Sequence, residues 1–430
     1  MSLHPLPPAD AEHRSRSHYH ALFGLVMLVN LGVIAWQLYR HGWAELMASP
    51  NALAGLAMAN IGMAILMRQS LVITALFWLA TRAPVTWPLG IRRHLAKVYH
   101  YGGIHAGGAC AGTAWLALLV GSLLSAPGDQ HPPALRWTAS ALLGCLLGML
   151  LSALPAVRAR HHDAFEKVHR YVGWTTLLLT WGLAVQLGPS AGQDDARGGV
   201  PESALLVFLG MITASILLPW LRLRRIALDV QRPSPHAVIL TLAGTRAPFP
   251  GSAMAISRSP LGQWHSFANI PAAGQTDFRI IISRAGDWTG QFIDDPPRHV
   301  WMKGFPTAGV AYIEVLFRSV LYVATGSGIG PVLPHLLAGR VRMRLIWSVR
   351  SPRATYGDAL VDEILAAQPD ALIWDTQRDG KPDLLQLSWD TAHDMKAEAV
   401  ICIANRALTD AVVNGCEARG LPAYGAIWDS

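Results

Sequence analysis

A run of glycines and a handful of histidines are the residues whose types and spacing could do chemistry. Thr325-Gly326-Ser327-Gly328-Ile329-Gly330 follows an apolar run ending at Ala324 and opens onto a segment with Pro331 in its first helical turn. Glycines there let the backbone approach a pyrophosphate, whose charge a helix N-terminus favours. A glycine-rich corner can equally be a tight turn, but its place at the first crossover of alternating strands and helices favours a nucleotide site. The histidines lie elsewhere. "VYHYGGIHAG", from Val98 to Gly107, carries His100 and His105 into an apolar run, and "HHDAFEKVHRYVGW" brings His169 to the start of another. Polar groups are costly in such surroundings and tend to be functional.

The elements that must position these residues fall into two halves. The chain has 430 residues, a mean hydropathy of +0.30 and 15% charged residues, well under the roughly 25% of soluble domains. Apolar runs at 21–38, 52–80, 101–125, 136–156, 170–188 and 203–221 predict six membrane spans. The second is over-long and interrupted by Met67-Arg68-Gln69-Ser70, so it reads as one tilted helix or as a helix plus a surface segment. With the N-terminus cytoplasmic, Arg82, Arg92, Arg93, Lys97, Arg158, Arg160, Lys167, Arg170, Arg222, Arg224 and Arg225 share one side. The positive-inside rule then predicts a multi-pass protein of the plasma or inner membrane with both termini cytoplasmic. The first eighteen residues are polar and proline-rich without a cleavage site, so the first helix is expected to stay.

Topology also accounts for the net charge of +7, leaving no reason to expect nucleic-acid binding. Cys110, Cys145, Cys402 and Cys416 lack CxxC spacing and support neither a disulfide framework nor a zinc site. Beyond the last run, "HAVILTLAG" and "FRIIISRAG" alternate as antiparallel strands of a small barrel. From Val310 onward strands alternate with helices, as in a parallel sheet. The expected organisation is a cytoplasmic tail (1–20), an α-helical membrane bundle (21–225), an antiparallel β-barrel (226–300) and an α/β parallel-sheet nucleotide domain (301–430).

"LGQWHSFANIPAAGQTDFRIIISRAGDWTGQF" followed by "VATGSGIGPVLP" resembles the ferric reductase and NADPH oxidase superfamily. That family joins a six-helix membrane domain to a ferredoxin-reductase-like module. Its H-P-F-T, G-D-W-T and G-x-G-I-G-x-x-P motifs stand here as His265-Ser266-Phe267-Ala268, Gly286-Asp287-Trp288-Thr289 and Gly326 to Pro331. The resemblance implies FAD held around His265, Ser266, Phe267, Ala268, Ser283, Arg284, Trp288 and Thr289, with Trp428 of "GLPAYGAIWDS" either covering the flavin or packed on the surface. It implies NADPH, with NADH as the alternative donor, over Thr325, Gly326, Ser327, Gly328, Ile329 and Gly330. Arg350 and Arg353 are the 2′-phosphate or loop cations, Arg378 opens "RDGKPD", which resembles the family's G-R-P-D turn near the nucleotide, and Cys402 lies at the nicotinamide pocket. Two departures matter: Ala268 replaces a hydroxyl residue, and "VICIANRAL" lacks the family's C-G-P turn. The "SRAGDWT" and "YGAIWDS" segments are similar to a fungal-type branch of membrane flavoproteins associated with adenylate-forming enzymes.

The superfamily carries two stacked b haems, which requires paired histidines about 13 or 14 residues apart on two helices. Here Ala114 stands fourteen residues after His100, and Gly182 thirteen after His169, so an outer haem has no ligands. His100 and His169 either hold a single heme b or, with their histidine neighbours, line a haem-free polar vestibule. His105 is about 140° round the helix from His100 and is expected to pack or to line a substrate pocket. The implied activity is a membrane-bound NAD(P)H oxidoreductase passing electrons through FAD to a small-molecule acceptor. The alternatives are a haem-free flavin reductase acting on a hydrophobic or carrier-derived molecule, and a redox-sensing membrane protein. The sequence leaves the oligomeric state open.

Overall fold

The computed structural model describes residues 6–7, 18–127, 130–187, 202–246, 248–271 and 277–426. The chain divides into two compact units. One comprises Ser17–Gln69 and Tyr101–Leu217, the other Met1–Arg16, Ser70–His100 and Leu218–Ser430.

The first unit is helical. It contains α1 (His18–Met47, broken at Gly42, φ +74°), α2 (Pro50–Leu66), α5 (Gly102–Ser125), α6 (Pro133–Ala153), α7 (Pro155–Arg160), α8 (His162–Leu187) and most of α9 (Glu202–Leu221). The glycines of "VYHYGGIHAG" have a packing reason. A Cβ on Gly103 would fall 2.1 Å from the Tyr19 carbonyl oxygen, one on Gly107 2.9 Å from the Val26 Cβ, and one on Gly108, the next residue, 2.7 Å from the Asn60 carbonyl oxygen. Small residues on α5 thus let the backbones of α1 and α2 approach closely, as membrane helices commonly do. Polar side chains tie the same three helices. Asn30 and Asn60 exchange reciprocal 2.9 Å hydrogen bonds, and the Trp115 indole donates to Asn30 Oδ1 at 2.7 Å. His105 Nδ1 lies 2.8 Å from the Ala64 carbonyl oxygen and donates to it, a packing role.

Among the described residues, α1, α5, α6 and α9 are long and apolar enough to cross a membrane, and a fifth span arises only if α2 and the next helix, α3 (Ser70–Ala80), are counted as one broken span. Six spans are therefore not reached. α8 is long, at 26 residues, but Asp163, Glu166, Lys167 and Arg170 occupy its first turns. His100 is not on a span either. It closes a 3-10 turn, Ala96–His100, ahead of α5.

The second unit begins with α3, α4 (Leu89–Leu95) and that turn, a segment expected to lie in the membrane domain. Its charges explain the difference. Arg92 is buried, and its guanidinium donates to the Trp87 carbonyl at 2.8 Å, the Leu316 carbonyl at 2.7 Å and Glu398 Oε2 at 2.7 Å. Arg93 and Lys97 both reach Glu417, at 3.1 and 3.0 Å. A buried guanidinium is tolerable only when so paired, and all its partners but Trp87 lie more than 200 residues away.

Seven antiparallel strands follow: β1 (Arg224–Ser234), β2 (Ala237–Arg246), β3 (Ser252–Ser257), β4 (His265–Ala268), β5 (Ile270–Pro271), β6 (Asp277–Ser283) and β7 (His299–Ala308), in the order β4-β3-β7-β1-β2-β6-β5. Val238, Leu240 and Leu242 on β2 and Phe278, Ile280 and Ile282 on β6 alternate into one core, which Phe292 and Ile293 of α10 (Asp287–Asp294) complete. The sequence predicts a barrel; the strand order begins at β4 and ends at β5, two strands consecutive in the chain and joined by the buried Asn269.

The C-terminal portion is a parallel sheet, β8 (Ser319–Thr325), β9 (Arg342–Val349), β10 (Leu372–Asp375), β11 (Ala399–Ile403) and β12 (Ala423–Gly425), ordered β10-β9-β8-β11-β12. Helices α11 (Ile329–Ala338), α12 (Pro352–Tyr356), α13 (Asp358–Ala367), α14 (Leu384–Met395) and α15 (Arg406–Glu417) connect the strands. The continuous apolar runs of β8 and β11 are what a sheet covered on both faces requires.

Candidate functional site

Strand order locates the site. From β8 the chain adds β9 and β10 on one side and then returns to place β11 and β12 on the other, so the order reverses between β8 and β11. In open parallel sheets, ligands bind beyond the carboxyl ends of the strands at such a point. A cleft of about 800 Å³ opens there, lined by Thr325 at the end of β8 and Gly326 after it, Ser348 and Val349 on β9 and Arg350 after it, Thr376 and Lys381 after β10, and Asn405 after β11. Its size is that of a small-molecule site.

The glycine turn divides its labour. Thr325 and Gly326 line the cleft and Ser327 is exposed. Gly326 has φ +49°, a left-handed conformation that favours glycine. Its carbonyl accepts from the Trp347 indole at 2.9 Å. Gly328, Ile329 and Gly330 are buried. A Cβ on Gly328 would lie 2.1 Å from the Ile403 carbonyl oxygen, so this glycine seats the turn against β11 and does not itself make room for a ligand. No side chain caps the N-terminus of α11.

The expected cations separate cleanly. Arg350 lines the cleft, and its Nε donates to Gln377 at 2.8 Å. Asp375 Oδ1 accepts from the backbone N–H groups of Ser351 and Gln377, both at 2.9 Å, which ties the two loops carrying these residues. Those bonds hold the Asp375 carboxyl below its ordinary range. Ser351, at φ +43°, is a strained non-glycine residue directly after Arg350. Arg353 instead pairs with Asp358 and Asp362, at 2.9 and 2.7 Å. Arg378 pairs with Asp379 at 2.8 Å, and neither Arg353 nor Arg378 lines the cleft. The residue that sequence reasoning missed is Lys381, exposed at the rim; its position after Gly380 in "RDGKPD" is the signal that was available.

Cys402 is withdrawn from the site. It is fully buried on β11, and burial pushes its thiol up to about 12. Asn405 takes the cleft position after β11 and caps α15, accepting from the Leu408 N–H at 3.0 Å.

The flavin-motif residues lie in the same unit. His265 to Ala268 form β4, with Ser266 exposed and Phe267 half-buried. Trp288 stacks on both His265 (4.2 Å between centroids) and Phe267 (6.1 Å) and packs on Phe292 (5.0 Å), so it buttresses the motif. Thr289 Oγ1 accepts from the N–H groups of Ala285 and Gly286, shaping the turn into α10. Arg284 forms a two-pronged ion pair with Asp294, lowering that carboxyl, and also donates to the Pro235 carbonyl. Ser283, at the end of β6, shares a 3.0 Å hydrogen bond with the Tyr356 hydroxyl. Tyr356 lines the cleft and packs on Trp347 at 5.3 Å. One tyrosine therefore joins the flavin-motif strands to the glycine turn, and nothing in its sequence neighbourhood announces it. Trp428 lies outside the described residues.

His100 and His169 belong to different units, so neither unit alone contains the pair. Among the described residues no group of three or more His, Cys, Asp or Glu is placed to hold a metal ion.

Residues 310–430 match the family model described as "Adenylate-forming reductase 03009, C-terminal domain". Two relatives from Coprinopsis cinerea extend the match over nearly the whole chain. Adenylate-forming reductase 03009 is 40% identical over 430 residues and adenylate-forming reductase 06235 is 39% identical; each alignment takes in 98% of this chain but 41% of the relative. The chain thus spans about two fifths of the length of these relatives. Both speak for the adenylate-forming branch of the resemblance, and neither name speaks for a ferric-reductase-type membrane domain. Among solved structures, a ferredoxin NADP+ reductase from Neisseria gonorrhoeae matches 48% of this chain and 99% of its own, at 13% identity and a TM-score of 0.39, a likeness too slight to carry residues across.

Proposed function

We propose that this chain is the NADPH-dependent flavin oxidoreductase portion of a membrane-anchored adenylate-forming reductase. The observation that carries the reading is the cleft at the strand-order reversal. There, two cations without a carboxylate partner among the described residues, Arg350 and Lys381, flank a glycine turn that Tyr356 links to the flavin-motif strands. A guanidinium and an ammonium are suited to a 2′-phosphate. Thr325, Gly326 and the uncapped start of α11 would hold the pyrophosphate. Phe267 would offer the flavin an apolar face, with Ala268 supplying no hydroxyl at its edge. FAD, when bound, supplies hydride acceptance from the nicotinamide and electron release to an acceptor.

The acceptor we favour is a small carrier-derived or hydrophobic molecule, reached without a haem. The apolar helices α1, α5, α6 and α9 support residence in a bilayer. The deciding experiment is the absorption spectrum of the purified full chain before and after anaerobic addition of NADPH. Flavin bands that bleach with NADPH are expected. Absence of flavin sinks the assignment, and a Soret band lost in His100→Ala and His169→Ala replaces the direct route with a haem relay.

A further inference from the structure

The segment Ser70–His100 leaves a set of large apolar side chains uncovered. α3 has 11 residues, about 16 Å of helix against the roughly 30 Å of a hydrocarbon core, so it cannot cross. One face is accounted for: Ile73, Phe77 and Ala80 are buried, Thr74 bonds to the Pro306 carbonyl and the Ala308 N–H of β7, and Phe77 meets Tyr312 edge-on at 6.2 Å. The other face is not. Trp78 is 51% and Leu79 66% exposed, and Leu71, Trp87 and Ile91 are exposed with them. Arg82 lies over the Trp78 ring at 4.3 Å.

What covers this face is indicated by β7. Its residues 303–308 receive α3 and also the end of the apolar helix α9. Pro219 sits against Gly304, Lys303 lies 4.0 Å over Trp220 and 4.3 Å over Trp264, and Arg222 lies 4.4 Å over Phe305. Three residues before Trp264, Leu261 is 80% exposed. The strand end where a membrane-type helix arrives is therefore also where α3, which carries Leu71, Trp78 and Leu79, is seated, and Trp87 and Ile91 follow in the next stretch of chain. Tryptophan and arginine alternating with leucine and isoleucine is the composition of a headgroup-level surface.

We propose that this face of the catalytic unit, Leu71, Trp78, Leu79, Trp87 and Ile91 with Leu261 at its rim, lies in the boundary between headgroups and acyl chains of a phospholipid bilayer. α3 is then an interfacial helix and no part of a span. The inference rests on the membrane residence proposed above and adds to it where the catalytic unit sits.

The test uses the full chain in phosphatidylcholine vesicles, with Cys110 and Cys145 replaced by alanine and the buried Cys402 and Cys416 kept. An environment-sensitive fluorophore is placed in turn at Leu79→Cys, Trp87→Cys and Ile91→Cys, at Leu147→Cys on α6 as a membrane reference, and at Asp410→Cys as a water reference. Blue-shifted emission at positions 79, 87 and 91, lost to a shallow spin-labelled lipid more than to a deep one, is expected of an interfacial face about 5–10 Å into the boundary. Water-like emission at these three positions with quenching intact at 147 overturns the interfacial face and leaves membrane residence standing. Quenching by the deep label at 79, 87 and 91 overturns it in favour of a broken span. Loss of lipid quenching at 147 as well overturns both.

Discussion

Replacing Gly328 by alanine is the sharpest perturbation of the proposed nicotinamide site. The new Cβ would stand 2.1 Å from the Ile403 carbonyl oxygen and 3.1 Å from its carbonyl carbon, about 1.2 Å short of the roughly 3.3 Å at which carbon and oxygen settle. Both atoms are backbone in the fully paired strand β11, so the turn must move instead. Overpacking of this kind costs about 1–3 kcal/mol, or some 2–4 °C of melting temperature per kcal/mol in a unit of this size. A displacement near 1 Å at a positioning element costs on the order of 100-fold in rate. Anaerobic stopped-flow reduction of the flavin by NADPH should therefore slow by that order while FAD content is retained. Gly330→Ala is the built-in control, since its Cβ would meet Ile281 at 4.0 Å, an ordinary contact. Gly326→Ala should fall between, with space around its Cβ but a left-handed backbone worth about 1–2 kcal/mol of strain. If Gly328→Ala reduces flavin as fast as Gly330→Ala, the assignment of Gly328 as the seat of the turn is wrong.

Arg350→Ala and Lys381→Ala should each raise KM for NADPH about 10- to 100-fold, from the loss of a charged hydrogen bond worth about 1.5–3 kcal/mol, and leave NADH kinetics unchanged. Arg353→Ala, whose guanidinium is taken by Asp358 and Asp362, should change neither, as steady-state kinetics with both donors will show. Burial pushes the Glu398 carboxyl up, but Arg92 and the Arg318 N–H outweigh it and hold it below its ordinary 4.5. A carboxyl depressed in the folded state contributes stability above its unfolded pKa and loses it as pH falls towards the folded one. Melting temperature should accordingly drop below about pH 4.5, and Glu398→Gln should flatten that part of the profile. Asn60→Leu, which breaks the reciprocal pair with Asn30, should destabilise the helical unit by about 0.6–2 kcal/mol, read as a lower melting temperature in detergent with the NADPH reaction of surviving protein unaltered.

The glycine turn, the alternating β2 and β6 and the parallel sheet were legible because local pattern and tertiary role agree there. The cations were legible only as types. Arg350 and Arg353 are three residues apart, one before α12 and one in its first turn, and what separates them is the acidic pair, Asp358 and Asp362, presented by the next helix. Tyr356 and Lys381 escaped because the topology brings them to the cleft from different crossovers. Cys402 misled because a strand buried on both faces hides the thiol that a turn would have shown. The break at Arg68-Gln69 and the arginines Arg92 and Arg93 were visible signs that Ser70–His100 leaves the bundle, but the carboxylates that pair with Arg92 and Arg93, Glu398 and Glu417, lie some three hundred residues away.

The excursion of Ser70–His100 bears on how separable the two halves are. The chain passes between the units after Arg16, after Gln69, after His100 and after Leu217, so the second unit is joined to the helical one at four points. A fragment cut at residue 218 would keep the Glu398 and Glu417 carboxylates but lose the Arg92, Arg93 and Lys97 cations that neutralise them. It would also expose the faces of β7 and Tyr424 that α3 and the 3-10 turn cover. Such a chain cannot be rearranged by swapping one domain for another at a single linker. The unit proposed to bind flavin and nicotinamide is committed, by its own folding requirements, to a segment, Ser70–His100, that the sequence of the helical unit brackets on both sides.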